Sequence, residues 1–181
     1  MVVAMGESGI RRKGPAGAAG ADARLLRERA EAALSAVVDP EIPVLTIADL
    51  GILREVRIEG EAVEAVITPT YSGCPAMNMI AVDADLALEK AGFSHRKITL
   101  SLSPAWTTDW MSREGRDKLR AYGIAPPAAS ARAALLGAPA PSCPRCGSLE
   151  VERISEFGST SCKALWRCTS CREPFDHFKC I

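Results

Sequence analysis

Four cysteines near the end of the chain fall into two pairs, each with the spacing Cys-x-x-Cys. Cys143 and Cys146 form the first pair, Cys168 and Cys171 form the second, and 21 residues lie between them. Zinc prefers four tetrahedral ligands and accepts thiolates, which two such pairs supply. A segment of about forty residues buries too little apolar surface to fold alone, so a bound metal would supply much of its folding free energy. The spacing predicts a zinc-ribbon-like module over residues 142–181, with an iron–sulfur cluster on the same thiolates as the alternative.

The same module contains two candidate strands and two further cysteines. Val151–Phe157 and Ala164–Arg167 have the composition of ribbon strands. Cys162 and Cys180 belong to neither pair. They are interpreted either as small buried packing residues or as ligands that join Cys74 in a second, more labile metal site. Sequence order does not bring these three cysteines together, so both interpretations stay open.

Composition and charge limit the class of protein. A chain of 181 residues holds one ordinary domain with a small appendage, or two small domains. The formal net charge is zero and no block of Lys and Arg occurs, which argues against binding along a nucleic-acid backbone. Seven cysteines without a secretion signal favour metal or redox chemistry over disulfides. No apolar run approaches the length of a membrane span. We expect residues 1–22 to be a disordered tail of a cytoplasmic protein.

Residues 23–122 alternate between helical and strand patterns. The order α-β-β-α-β-α, with one βαβ crossover, predicts a small α/β (α+β) sandwich in which helices cover a three-stranded mixed sheet. The predicted elements are a helix from Asp22 to before Pro40, a β-hairpin of Leu53–Ile58 and Ala62–Thr68, a helix from Pro75 to about Ala91, a strand Lys97–Leu102 and a helix Thr107–Ala121.

A stretch rich in Ala, Pro and Gly follows this domain, over residues 123–141. As a flexible linker of 19 residues it would span roughly 20–25 Å. The domain boundary is therefore predicted within it.

One short loop joins the hairpin to the second helix and contains Cys74. Pro75 suits the first position of a helix, which places Cys74 beside unpaired backbone N–H groups and the positive end of the helix dipole. Such a position lowers the pKa of a thiol and makes it a better nucleophile and metal ligand. The alternative is a small buried residue that closes the loop.

Three short motifs in the first domain resemble one known family. Asp39-Pro40-Glu41, Asp49-Leu50-Gly51 and Cys74-Pro75 occur in the order found in the DUF59 or MIP18-like family, which is associated with iron–sulfur cluster assembly. The isolated motifs have modest specificity, whereas their combined order is specific.

The segments of the C-terminal ribbon point to a narrower family. Segments Phe157–Thr160, Cys162–Leu165 and Glu173–Asp176 are similar to the PaaD family, also called PaaJ. Members of that family are small subunits encoded with the phenylacetyl-CoA epoxidase (phenylacetate-CoA oxygenase) of aerobic phenylacetate degradation. The resemblance extends from about Arg24 to Ile181 and leaves out only the tail.

The resemblance implies an accessory or maturation subunit that helps to assemble iron–sulfur or iron centres in a partner. The partner would be the oxygenase or the iron–sulfur reductase component. Cys74 would be a transient ligand or sulfur acceptor, and Asp39 and Glu41 would be nearby polar or metal-facing groups. The implied cofactors are a structural zinc ion and a transient iron–sulfur cluster. The simpler alternative for both carboxylates is that they cap the end of the first helix and the turn after it.

The residues do not fit the oxygenating or the reductase subunit. A di-iron carboxylate centre needs Glu-x-x-His pairs on bundled helices, and neither His95 nor His177 belongs to such a pair. The chain also lacks a Gly-rich dinucleotide loop and the cysteine spacing of plant-type ferredoxins. Three other functions stay open: a stable structural subunit of the oxygenase complex, an enzyme with Cys74 as nucleophile, and a nucleic-acid adaptor, which the neutral charge disfavours.

Overall fold

The computed structural model describes residues 16–127, 130, 132, 137 and 139–179. Two three-stranded sheets organise this part of the chain. None of its helices combines the length and apolar character needed to cross a membrane. The elements in chain order are α1 (Ala16–Ser35), β1 (Leu53–Glu59), β2 (Ala62–Ile67), α2 (Met77–Lys90), β3 (His95–Leu100), a 3-10 turn (Thr108–Trp110), α3 (Arg113–Tyr122), β4 (Val151–Ser155), β5 (Lys163–Cys168) and β6 (Pro174–Phe178).

The first sheet has the order β1-β2-β3 and confirms the predicted mixed α/β architecture. β1 and β2 form an antiparallel hairpin, and Gly60 takes a φ of +64° in its turn. β3 pairs parallel to β2, from Ala62 opposite His95 to Ile67 opposite Leu100. A parallel pair needs a crossover connection, and α2 provides it.

Helix α2 covers one face of this sheet with the apolar stripe that its sequence indicates. Met77, Ile80, Ala84 and Leu88 are buried, at the spacing of one helical face. After its last residue the chain turns at Gly92, whose φ of +86° is the left-handed conformation expected after a helix end.

Two predicted helices have different boundaries in the structure. Helix α1 begins at Ala16 rather than Asp22, so the end of the predicted tail is helical, and residues 1–15 lie outside the described residues. The predicted helix Thr107–Ala121 is divided into the 3-10 turn and α3. The division occurs because the Ser112 hydroxyl accepts a hydrogen bond of 2.9 Å from the Gly115 backbone N–H and starts a new helix there.

The ribbon has one strand more than its sequence predicted. Its sheet has the order β4-β5-β6 with antiparallel pairs throughout, whereas only β4 and β5 were expected. β6 was missed because it begins with a proline, which a strand tolerates at its first residue or on an edge. Beyond β6, Ala125 pairs with the strand: its N–H donates to the Asp176 carbonyl at 2.8 Å, and the Phe178 N–H donates to its carbonyl at 2.9 Å.

The ribbon packs directly against the first module. Phe178 of β6 lies in the same buried cluster as Leu45 and Ile80, and its ring centroid is 6.1 Å from that of Trp106. Ile124 and Ala125 are buried, so the first residues of the predicted linker belong to the packed structure. The helical turn predicted within the linker falls largely outside the described residues.

Candidate functional site

The four paired cysteines come together at one end of the ribbon. All four Sγ atoms lie within 4.8 Å of one another. The Cys143 and Cys171 sulfurs are 3.7 Å apart, and the Cys146 and Cys168 sulfurs are 3.6 Å apart. Four thiolates at about 2.3 Å from one tetrahedral ion lie roughly 3.8 Å from each other. The spacing in this structure therefore fits a single metal ion.

Tight turns and strand β5 place these four sulfurs. Gly147, with a φ of +77°, lets its N–H reach back to the Cys143 carbonyl at 2.9 Å. Cys168 is the last residue of β5, and its sulfur accepts the Cys171 N–H at 3.4 Å. That hydrogen bond lowers the pKa of Cys168 to about 6.

Two other thiols of this cluster, Cys146 and Cys171, have raised pKa values. A backbone hydrogen bond from Glu173 favours the Cys171 thiolate, yet desolvation and the neighbouring sulfurs outweigh it and raise the pKa of Cys171 to about 12. Four sulfurs so close together can all be thiolates only when a cation neutralises them. The donor set is thus suited to a metal ion.

A second cluster lies where the ribbon packs on the first module. Cys162 is buried in the shared apolar core, and half-buried Cys74 packs against that core. Tyr71, in the same loop as Cys74, also packs against that core. The two thiols interact electrostatically with each other and with Glu41 and Asp39. The structure therefore brings four of the candidate residues from the sequence to one interface.

The two carboxylates of this cluster differ in their surroundings. Asp39 is buried, and its Oδ1 accepts the backbone N–H of Glu41 at 2.7 Å and of Ile42 at 2.9 Å. This is the local capping role that the sequence left open. Burial raises the pKa of Asp39 against these hydrogen bonds. Burial, and then the charge of Asp39, raises the pKa of Glu41.

The predicted lowering of the Cys74 pKa is wrong. Helix α2 begins only at Met77, so Cys74 lies before the cap rather than on it. The Ala76 N–H still donates to the sulfur, but burial together with Glu41 and Asp39 raises the pKa of Cys74 above its ordinary value. This thiol therefore keeps its proton near neutral pH.

Sequence reasoning missed two members of this cluster. Lys163, which is 4% exposed, interacts with Asp39, Glu41 and Cys162, and its Nζ lies 3.8 Å from Asp176. Tyr71 packs against the core that the two modules share. A lysine directly after a cysteine at the start of a strand was the available signal. Cys180, the other candidate for a second metal site, lies outside the described residues.

The Asp49-Leu50-Gly51 motif supports the fold near this interface. Both Asp49 carboxylate oxygens are hydrogen-bonded, and its Oδ2 accepts the Lys118 ammonium at 2.6 Å. The Leu50 carbonyl accepts the Trp106 indole N–H at 2.9 Å. Gly51 has a φ of +67°, and a Cβ there would lie 2.5 Å from the Trp110 carbonyl oxygen. These contacts give the motif a structural reason.

Two known families match separate parts of the chain. Residues 27–94 match the family described as iron–sulfur cluster assembly protein, and residues 127–179 match the family described as PaaD zinc beta ribbon domain. A crystal structure of a domain of unknown function, DUF59, from Bacillus anthracis aligns with a TM-score of 0.52 and 24% identity. The alignment covers 55% of this chain and 96% of that one, and it supports the fold of the first module.

The fold and the four-thiol site define a class of chain, in which an iron–sulfur-assembly domain is followed by a PaaD-type ribbon. The chain is 55% identical over 150 residues to an Escherichia coli (strain K12) protein described as a putative subunit of 1,2-phenylacetyl-CoA epoxidase, covering 83% of this chain and 90% of that protein. It therefore belongs to the PaaD family of phenylacetyl-CoA epoxidase subunits. It is also 37% identical over 83 residues to a Porphyromonas gingivalis (strain ATCC BAA-308 / W83) protein described as "Fe-S protein maturation auxiliary factor", covering 45% of this chain and 78% of that protein.

Proposed function

We propose that this chain is an accessory subunit of a phenylacetyl-CoA epoxidase and handles iron, alone or with sulfide, for a partner component. The observation that carries the proposal is the convergence of Cys74, Asp39 and Glu41 within a domain of the iron–sulfur-assembly family. The names of two relatives, an epoxidase subunit and an iron–sulfur maturation factor, support the two halves of the proposal. The partner is the oxygenase or the iron–sulfur reductase component.

The surroundings of Cys74 suit an exchangeable ligand. A thiol must lose its proton to bind iron, and a raised pKa makes the proton compete with the metal. Two carboxylates nearby favour the arrival of a cation, and half-burial leaves a path for its departure. A carrier needs both properties, because it must release what it binds.

The ribbon metal has a different role in this proposal. The four sulfurs fill a tetrahedral coordination sphere and leave no open position for a substrate, which is typical of structural zinc. The ion is zinc, and it stabilises the ribbon fold. It stays bound while iron is loaded and released at the interface site.

The test is metal and acid-labile sulfide analysis of anaerobically purified protein, as wild type, Cys74→Ser and Cys143→Ser. We expect zinc to be lost in Cys143→Ser, and iron or sulfide to be lost in Cys74→Ser with zinc retained. Glu41→Gln should also lower iron content, while Glu61→Gln, in the exposed β1–β2 turn, is the matched control. A second measurement is the iron content of epoxidase components co-produced with each variant.

The same experiment identifies the structural-subunit alternative. Stoichiometric co-purification with the oxygenase, unchanged iron in every variant and full epoxidase activity with Cys74→Ser would contradict the carrier role. Iron bound at the ribbon instead of zinc would contradict the structural role given to that ion.

A further inference from the structure

We infer that the ribbon completes the Cys74 site: Cys162 is the second thiolate for the iron that Cys74 and Glu41 bind, and the metal sits between the two modules. The inference rests on the proposed function and names the ligand set of that site. Its ligand class is a thiophilic divalent cation, Fe²⁺ alone or Fe²⁺ with sulfide.

The fold holds Cys162 firmly at this interface. The Lys163 N–H donates to the Thr160 carbonyl at 3.1 Å and closes a tight turn around the cysteine. The Cys162 carbonyl accepts the Lys179 N–H at 3.0 Å, and its sulfur lies 3.0 Å from the Thr160 hydroxyl. Cys162 is 5% exposed, so its thiol faces the first module rather than solvent.

The Cys74 loop approaches the same place from the other side. Tyr71 and Cys74 both pack against the buried cluster that contains Cys162 and Phe178 of the ribbon. This shared core brings the two cysteine-bearing segments to one interface. A thiol supplied by each module makes the site dependent on their packing.

The charges at the interface call for a cation. Asp39, Glu41 and Asp176 contribute three carboxylates, and Lys163 is the ammonium that interacts with each of them. Three negative charges and one positive charge leave two negative charges, which favour the approach of a divalent cation. Thiolate together with carboxylate selects iron or zinc over magnesium or calcium.

The interface donors are less tightly grouped than those of the ribbon. In the part of the chain that the structure describes, the ribbon thiols form the one group of three or more cysteine, histidine or carboxylate donors within 4.8 Å of one another. Iron at the interface must draw the Cys74 loop towards Cys162, or bridge the donors through sulfide. Either way it is held more weakly than the ribbon metal, as transfer to a partner requires.

The test uses the full-length chain with its ribbon loaded with zinc, under anaerobic conditions. Co²⁺ is the spectroscopic probe, because sulfur-to-cobalt charge transfer grows with the number of thiolate ligands. We expect Cys74→Ser and Cys162→Ser each to keep about half of the wild-type charge-transfer intensity per bound Co²⁺, and the double variant to lose it. Cys162→Ser should weaken Co²⁺ affinity by about 10-fold or more. Fe²⁺, with sulfide in one arm and without it in the other, should displace the probe.

A lysine variant should change the Co²⁺ affinity of the same site in the opposite direction. Lys163→Met removes the ammonium that neutralises the carboxylates, so Co²⁺ should bind severalfold more tightly. Zinc content after each titration shows that the ribbon has not exchanged its metal. If Cys162→Ser loses zinc and is misfolded, Cys162→Ala and Lys163→Met provide the same comparison.

The outcomes separate this inference from the proposed function. Full charge-transfer intensity and affinity in Cys162→Ser, with loss in Cys74→Ser, would overturn the two-module site and leave the carrier role standing. Absence of any thiolate–cobalt signal in the zinc-loaded wild type, with no Fe²⁺ uptake, would overturn both.

Discussion

Substituting Gly51 by alanine tests whether the Asp49-Leu50-Gly51 motif has a structural reason. Gly51 has a φ of +67°, and its new Cβ would lie 2.5 Å from the Trp110 carbonyl oxygen and 2.7 Å from the Trp110 Cβ. Gly60 is the matched control, because its φ is +64° and a Cβ there meets no atom within 4 Å. The two substitutions share the conformational strain and differ only in crowding.

The expected losses of stability follow from the conformational strain and the crowding. A left-handed conformation costs a residue with a side chain about 1–2 kcal/mol, which is the whole effect expected for Gly60→Ala. Crowding against a packed backbone adds roughly 1–3 kcal/mol, so Gly51→Ala should destabilise the chain by about 2–5 kcal/mol. That is a large share of the roughly 5–15 kcal/mol by which domains are stable.

Urea unfolding of both zinc-loaded variants, followed by circular dichroism, measures the difference. With a slope of about 2 kcal/mol per molar urea, the midpoint of Gly51→Ala should lie roughly 0.5–1.5 M below that of Gly60→Ala. Equal midpoints would refute the close approach of Trp110. In that case the motif would need a functional rather than a structural explanation.

Three further predictions concern the ribbon and its contact with the first module. Phe178→Ala removes a fully buried ring beside Trp106 and should lower the free energy of unfolding in urea by about 3–5 kcal/mol. Phe157 is 62% exposed, so Phe157→Ala should lower it by about 1 kcal/mol or less. Equal losses would contradict the docking of the ribbon. Burial lowers the pKa of His177 to about 4, below the value of about 6.5 expected in the unfolded chain, so the unfolded state binds the extra proton. Stability should thus be lost as pH falls from about 6.5 to 4, by roughly 3 kcal/mol, and His177→Gln should flatten the dependence of the unfolding free energy on pH. Cys143→Ser should release the ribbon metal and loosen the interface between the modules. Cys74 should then react faster with iodoacetamide, as measured by peptide mass spectrometry. An unchanged reaction rate would mean that the interface does not depend on the metal.

Local patterns were sufficient to predict the mixed α/β architecture of the first module and to single out the four cysteines that cluster in the ribbon. The alternating runs of β1 and β2 and the apolar stripe of α2 each specify an element whose burial depends on its own period. The Cys-x-x-Cys spacing likewise predicts that the two cysteine pairs cluster, and their four sulfurs lie close together in the structure. Side chains a few residues apart decide these features.

The interface could not be predicted in the same way. Cys74 packs against the cluster that contains Phe178, about a hundred positions further along the chain, and no periodicity records such packing. The pKa of Cys74 was misjudged for the same reason. The helix end was visible in the sequence, whereas the burial and the two carboxylates that outweigh it come from tertiary packing.

The pairing of Ala125 with β6 has a consequence for anyone who divides this chain. Cutting after Tyr122 removes Ile124 and the ring of Phe178 from the buried cluster that contains Trp106. The isolated first module would then present to water an apolar patch that the ribbon covers in the intact chain, and such patches promote self-association. Dimers or aggregates of that fragment would be products of the cut, and its Cys74 would react faster than the half-buried Cys74 of the intact chain.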